Sequence, residues 1–200
     1  MARFYSFDGI DGAGKSTQLQ LFCDFLRQRG EEVIVCRDPG STELGEKIRA
    51  IVLHADDSVS IGPRSEMLLY MAARAQLVDE VIRPALATGK TVVSDRFLLA
   101  NVVYQGYGGG LDVSQLWQVG QVATDGLAPD LTFLLDMPEE LAAARLGDKL
   151  DRMESRGAEF RQRLRAGFLA EAEKNDKIVV VAADRAIEEI QGEIRRAVDD

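Results

Sequence analysis

Residues 4–16 read Phe4-Tyr5-Ser6-Phe7-Asp8-Gly9-Ile10-Asp11-Gly12-Ala13-Gly14-Lys15-Ser16. The opening run, 4–7, is short and mostly apolar, as expected of a strand covered on both faces. Residues 9–16 then fit the pattern G-x-x-x-x-G-K-[ST]. Glycines let the backbone curl until successive N–H groups point inward at phosphate oxygens. In such a loop Lys15 reaches the β and γ phosphates, and the Ser16 hydroxyl is placed to ligate Mg²⁺. A helix follows, with Leu19, Phe22, Cys23 and Leu26 on one stripe and Gly30 as its stop. Its positive end faces the same phosphates. A glycine-rich turn with an incidental lysine is the alternative, but strand, loop and helix stand in the order that the chemistry needs. A nucleoside triphosphate site is therefore expected on Gly9, Ile10, Asp11, Gly12, Ala13, Gly14, Lys15, Ser16 and Thr17.

Outward from this stretch, short apolar runs alternate with helical patterns. Further strand candidates lie at 33–36, 91–94, 131–135 and 178–181. A long helix is expected after Pro63, carrying Met67, Met71, Ala75, Val78 and Ile82 at spacings of three and four. Another is expected from Asp112, with Gln115 completing a capping box and Gly126 ending it before Pro129. Its Leu116, Trp117 and Val122 suit either a partner-facing surface or ordinary core. Strand–helix alternation without repeats or linkers predicts one doubly wound α/β domain over residues 1–200. It has a five-stranded parallel sheet with helices on both faces, the P-loop NTPase fold, with ligands at the carboxyl ends of the strands.

The chain has 200 residues and a formal net charge of −9. That balance argues against a grip on a nucleic-acid backbone, which calls for excess positive charge. A small anionic ligand needs only a local cluster of cations. No apolar run approaches the roughly 20 residues that span a bilayer. Met1-Ala2-Arg3 leads straight into a strand-like run without a signal-peptide pattern, so a cytoplasmic protein is expected. Cys23 and Cys36 read as buried small hydrophobes, and the single histidine, His54, as a helix-end residue.

A phosphate loop alone does not separate a kinase from a switch or a motor. Asp95-Arg96 follows the strand candidate 91–94, where a parallel sheet would deliver it beside the loop. An aspartate there can hold a magnesium-bound water and an arginine can clamp a transferring phosphoryl group, although a strand-end salt bridge is the simpler alternative. Arg37, Arg49 and Arg74 come from separate segments that such a fold can converge on one cleft. The stretch 145–165 is also rich in cations, with Arg145, Lys149, Arg152, Arg156, Arg161, Arg163 and Arg165. Two phosphorylated substrates repel, so joining them needs positive charge along the reaction axis. For most of Arg161, Arg163 and Arg165 a solvated helix face is the preferred expectation.

Taken together, these residues resemble the bacterial-type thymidylate kinases over essentially the whole chain. The matching pieces are Phe7-Asp8-Gly9 with the phosphate loop, Arg37-Asp38-Pro39-Gly40-Ser41-Thr42, Glu46-Lys47-Ile48-Arg49 and Leu69-Tyr70-Met71-Ala72-Ala73-Arg74. Asp95-Arg96-Phe97, Tyr104-Gln105-Gly106, Pro129-Asp130-Leu131 and Leu150-Asp151-Arg152-Met153-Glu154 complete the set. The resemblance implies the reaction ATP + dTMP → ADP + dTDP with Mg²⁺, and a homodimer. It also implies that Tyr70 stacks on thymine, Arg74 bonds a base oxygen, and Asn101 and Tyr104 read the base edge and crowd the sugar 2′ position. Arg49 and Arg96 would hold the dTMP phosphate, with Asp38, Pro39 and Gln105 in the same pocket. Asp8 would approach the sugar 3′-hydroxyl and help to organise a magnesium site with Ser16 and, through water, Asp95. The implied catalytic set is Lys15, Arg96, Asp8, Asp95, Arg145 and Arg152.

The chain departs from the family pattern at Ala100, where many relatives have serine, and at Gly109 and Gly147, where arginines are usual. Gly12 stands where some relatives carry an arginine in the phosphate loop, so a lid segment over 145–156 is expected to supply that charge from Arg145, Lys149 or Arg152. The competing expectations are a kinase for another monophosphate or a nucleoside, and a nucleotide-driven switch. The acceptor-side set Arg49, Tyr70, Arg74, Asn101 and Tyr104 has no clear purpose in a switch.

Overall fold

The computed structural model describes residues 2–54, 60–146 and 156–199. Five strands, β1 (Phe4–Asp8), β2 (Val33–Arg37), β3 (Thr91–Asp95), β4 (Leu131–Asp136) and β5 (Ile178–Ala182), form one sheet. Its order is β2-β3-β1-β4-β5, and every pairing is parallel. Alternate side chains of β1 serve opposite faces. Tyr5 and Phe7 meet Phe22 of helix α1 (Lys15–Gln28) at 5.2 and 5.6 Å between ring centroids, while Phe4 meets Phe97 on the other face at 5.0 Å. Both faces of the central strands are covered, as the apolar runs predict, and even Ser6 and Thr132 are buried, with their hydroxyls 2.8 Å apart.

Each strand runs one residue past its apolar stretch, and four of the five added residues are charged: Asp8, Arg37, Asp95 and Asp136. These stand at the carboxyl edge. β1 and β3 are neighbours whose outgoing connections run to opposite sides, to β2 and to β4 respectively. That arrangement opens a crevice between them, where Phe7 is in register with Asp95.

Of the remaining helices, α2 (Glu43–His54) ends at the histidine, as expected. α3 (Pro63–Leu77) takes Pro63 as its first helical residue and passes through a wide π turn, Val78–Ile82, into α4 (Arg83–Ala87). The one long helix read from the sequence is thus interrupted. Pro84 lacks the N–H that would bond the carbonyl of Glu80, and its ring crowds that carbonyl, so the turn widens. A second π segment, Val102–Gly108, continues α5 (Leu98–Asn101) and carries Tyr104 and Gln105. Then come α6 (Val113–Thr124), α7 (Glu139–Ala143), α8 (Ala158–Ala172) and α9 (Ile187–Asp199). Asp112 caps α6 by accepting from the Gln115 N–H at 2.9 Å. On α6, Leu116 is core, as one alternative holds, while Val122 is 83% exposed.

Cys23 and Cys36 are buried and free, and burial pushes their thiols up to about 11 and about 12. Such thiols are unreactive packing groups. Arg161 and Arg165 depart from a solvated face. Arg161 pairs with Glu139 at 2.6 Å, and Arg165 makes two bonds to Asp136 at 2.6 and 2.9 Å. Their partners lie more than twenty residues away in sequence, which is why local charge density did not reveal them. Through these pairs α8 is fastened to the end of β4 and to α7.

Candidate active site

The phosphate loop leaves β1 at Asp8 and returns as α1. Gly9, Gly12 and Gly14 all have positive φ, at 134°, 83° and 89°. At Gly12 a Cβ would stand 2.2 Å from the Ala142 carbonyl oxygen. An arginine at this position is therefore incompatible with the loop as folded, and any positive charge above it must come from elsewhere. Arg145 does come close: its NH1 lies 3.9 Å from where a Gly14 Cβ would be. Lys149, Arg152 and Gly147 lie outside the described residues. The Lys15 ammonium donates to the Gly9 and Ile10 carbonyls at 3.2 and 3.0 Å and lies 3.5 Å from Asp11. Ile10 and Ala13 turn their side chains into the core, so they shape the loop rather than face its opening.

An open cavity of about 1200 Å³ is lined by Gly12, Gly14, Lys15, Ser16, Thr17, Arg37, Asp95 and Arg145, among others. Beside it a second cavity of about 540 Å³ is lined by Pro39, Leu53, Tyr70, Arg74, Ala100, Asn101, Tyr104 and Gln105. Asp11, Asp38, Arg49 and Arg96 belong to both. The structure thus gathers the substrate-binding set named from the sequence, except Asp8. Tyr70 and Arg74, one turn apart on α3, both line the smaller cavity.

Arg96 is the hinge of the arrangement. Its φ is 66°, a left-handed conformation that costs a non-glycine residue about 1–2 kcal/mol. That backbone lets its N–H bond the Phe7 carbonyl at 2.9 Å and turns the guanidinium back over the loop. There it donates to the Gly9 carbonyl at 3.0 Å, to Asp11, and to the Tyr104 hydroxyl at 3.1 Å. Tyr104 in turn donates to Asp11 at 2.8 Å, and the guanidinium carbon lies 5.0 Å from its ring centre. Arg96 therefore pairs with Asp11 from the phosphate loop, and the strand-end Asp95–Arg96 bridge does not form. Burial raises the Asp11 carboxyl, but Arg96, Lys15 and the Tyr104 hydrogen bond outweigh it and hold the group well below its ordinary range. Lys15 is lowered chiefly by burial and secondly by Arg96, against the pull of Asp11, Asp95 and Asp8.

Asp8 lies under the loop, fully buried, with both carboxyl oxygens lacking a hydrogen-bond partner. Burial pushes it up to about 7, partly offset by Arg96 and Lys15. Asp95 Oδ1 is likewise buried and unpartnered. Asp95 lines the phosphate cavity together with Ser16, and orphaned carboxyl oxygens of this kind are what a hard divalent cation satisfies. Among the described residues no three His, Cys, Asp or Glu side chains form a protein-only metal cage. Mg²⁺ needs none, because it keeps most of its ligands as water and phosphate oxygens. The donor set fits this ion.

Two residues of the site were not foreseen, Leu53 in the lining of the smaller cavity and Glu66. Glu66, buried behind the smaller cavity, accepts from Gln105 Nε2 at 3.0 Å. The signal was present in the spacing, since Glu66, Tyr70 and Arg74 recur every four residues along one helix face.

A phosphate loop joined through shared arginines to a second cavity lined by aromatic, amide and arginine side chains defines a P-loop phosphotransferase with two substrates. The family profile described as thymidylate kinase matches residues 7–194. A thymidylate kinase of Rhodopirellula baltica is 46% identical over 94% of this chain and 76% of its own. One from an Exiguobacterium species is 47% identical over 96% and 91%. The crystal structure of the thymidylate kinase from Ehrlichia chaffeensis superposes with a TM-score of 0.80 at 30% identity, covering 98% of each chain. The chain belongs to the thymidylate kinase family. Its reaction is the phosphorylation of dTMP to dTDP by ATP, with Mg²⁺ as the usual kinase cofactor.

Proposed function

We propose that the two cavities divide this reaction, the larger taking the ATP phosphates and the smaller taking dTMP. The observation that carries the assignment is their common wall of Asp11, Asp38, Arg49 and Arg96. Substrates seated on either side of one wall meet at it, which is the condition for in-line transfer. An oxygen of the dTMP phosphate attacks the γ phosphorus while ADP leaves on the far side. Lys15, Arg96 and Arg145 neutralise the charge that spreads over the transferring group. Arg49 and Arg96 hold the acceptor phosphate, Tyr70 stacks on the base, and Arg74, Asn101 and Gln105 read its edge. Ser16, Asp8 and, through water, Asp95 would hold Mg²⁺, which supplies further charge neutralisation when bound.

One domain over residues 1–200 carries the reaction; the lid expected over 145–156 falls mostly outside the described residues. The working form is a cytoplasmic homodimer. α3 packs against both α2 and α6, and these three helices expose Leu44, Ile51, Leu68 and Val122. Large apolar side chains on adjacent elements favour a covering partner. Among the described residues no helix is long and apolar enough to cross a membrane. The deciding experiment is an ADP-release assay with Mg-ATP and each nucleoside monophosphate in turn. Strong stimulation by dTMP, weak by dUMP and none by the others is expected. Stimulation by another monophosphate instead of dTMP would overturn the acceptor assignment.

A further inference from the structure

Glu66 is a charged residue that the chemistry above does not use. It sits in the first turn of α3, where acids commonly face the helix dipole. Yet it is only 3% exposed, and burying a carboxylate that far is costly unless partners recover the loss. From Glu66 a relay of buried bonds runs across the wall of the smaller cavity. Gln105 Nε2 donates to Glu66 at 3.0 Å, Asn101 Nδ2 donates to Gln105 Oε1 at 2.7 Å, and Arg74 NH1 donates to Asn101 Oδ1 at 2.9 Å. Arg74 Nε is anchored in turn on Asp38 at 2.5 Å.

The ends of the relay force its direction. A guanidinium only donates and a carboxylate accepts, whereas an amide does either according to how it is turned. Two amides between such ends satisfy all three bonds in one arrangement only, with nitrogen toward Glu66 and oxygen toward Arg74. Turning one amide over sets like groups against each other.

The cavity is lined by Arg74, Asn101 and Gln105, with Glu66 behind them. Four of the five Arg74 N–H groups go to Asp38, Asn101, the Met71 sulfur and the Phe97 carbonyl, which leaves one donor. Asn101 Oδ1 keeps a second lone pair. The wall thus offers a donor beside an acceptor. That pair complements a ring edge showing a carbonyl next to an N–H, and clashes with an edge showing an amino group next to a bare ring nitrogen.

We propose that Glu66 is a specificity-determining positioning residue. By holding the Gln105 and Asn101 amides in this one orientation, it makes the acceptor cavity select a 4-oxo over a 4-amino pyrimidine monophosphate. The proposal rests on the smaller cavity being the monophosphate site. A site built from buried polar groups rejects a mismatched edge strongly, because the mismatch leaves those groups unpaired.

The test is steady-state kinetics of the wild type, Glu66→Gln and Glu66→Leu with dTMP and with dCMP under Mg-ATP. Glu66→Gln still offers an oxygen to Gln105 and should keep the preference. Glu66→Leu strands the Gln105 amide, and the ratio of kcat/KM for dTMP over dCMP should fall about tenfold or more, with KM for ATP unchanged. An unchanged ratio in Glu66→Leu, whatever happens to kcat, overturns the proposal, as does an equal loss in Glu66→Gln. Should Glu66→Leu not fold, Gln105→Met breaks the same relay, and an unchanged ratio there is equally fatal. A wild type that shows no preference for dTMP over dCMP also overturns the proposal, whereas a wild type that turns over neither monophosphate defeats the underlying cavity assignment instead.

Discussion

Single side chains in this site are held by charges that are themselves buried, so their removal has readable consequences. Lys15 is 8% exposed and, among the described residues, bonds the Gly9 and Ile10 carbonyls and lies beside Asp11. Lys15→Ala should therefore fold normally and lose about a thousandfold in kcat, the cost of removing a cation aimed at the transferring phosphate. Near-normal turnover in the ADP-release assay would refute its role. Asp8 gives a prediction about stability. Burial pushes its carboxyl up to about 7 in the folded protein, against about 3.9 for an aspartate in water. The native state holds a proton that the unfolded chain has already lost, so stability of the ligand-free protein falls as pH rises from about 4 to about 7. The full penalty above pH 7 is on the order of 4 kcal/mol. Asp8→Asn removes that slope, so urea midpoints of the two proteins should diverge between pH 5 and pH 8. A constant difference would show that Asp8 is not titrating. Most of these residues were legible in the sequence because they lie in contiguous motifs. Glu66 was not, because its function depends on its bond to Gln105, 39 residues away on another element.

At the scale of elements, the apolar runs located all five strands but ended each one residue early. A strand that terminates in a charged residue at an active edge breaks the pattern that reveals it, so the missing residue is the functional one in Asp8 and Asp95. The helix period located α1, α3 and α6 but could not show the two π turns. An added residue in one turn leaves composition and apolar spacing almost unchanged while it re-aims Tyr104 and Gln105. The phosphate loop is constrained in a different way, by how closely it approaches α7. Gly12→Ala combines a φ of 83° with a backbone oxygen 2.2 Å from the new carbon. The dihedral strain alone is about 1–2 kcal/mol, so the melting temperature should drop and KM for ATP should rise. Wild-type melting and ATP affinity in this variant would mean that the loop has room to spare. The charge that relatives with an arginine at this position place in the loop would then not be barred here by geometry.

Across the whole molecule, net charge and surface chemistry point in different directions. A charge of −9 is spread over the chain, while the arginines that matter are drawn into one crevice. The sequence showed the first directly and the second only through motif order, since convergence is a property of the sheet topology. Association belongs to this scale too. If α2, α3 and α6 form the face between subunits, Leu68→Asp places a charge in it, with Leu68 being 54% exposed in the single chain. Sedimentation should then show a monomer with an unchanged far-ultraviolet spectrum. A dimer that persists at micromolar concentration would place the contact elsewhere.

The wall common to the two cavities constrains what an inhibitor meets and what evolution can change. A molecule long enough to occupy both cavities at once would touch Asp11, Asp38, Arg49 and Arg96 from both sides. A resistance mutation at any of these four would loosen the drug, but it would also weaken the grip on both natural substrates. Escape would have to begin at positions that line one cavity alone, such as Leu53, Ala100 or Thr17, where a change disturbs one ligand and spares the other.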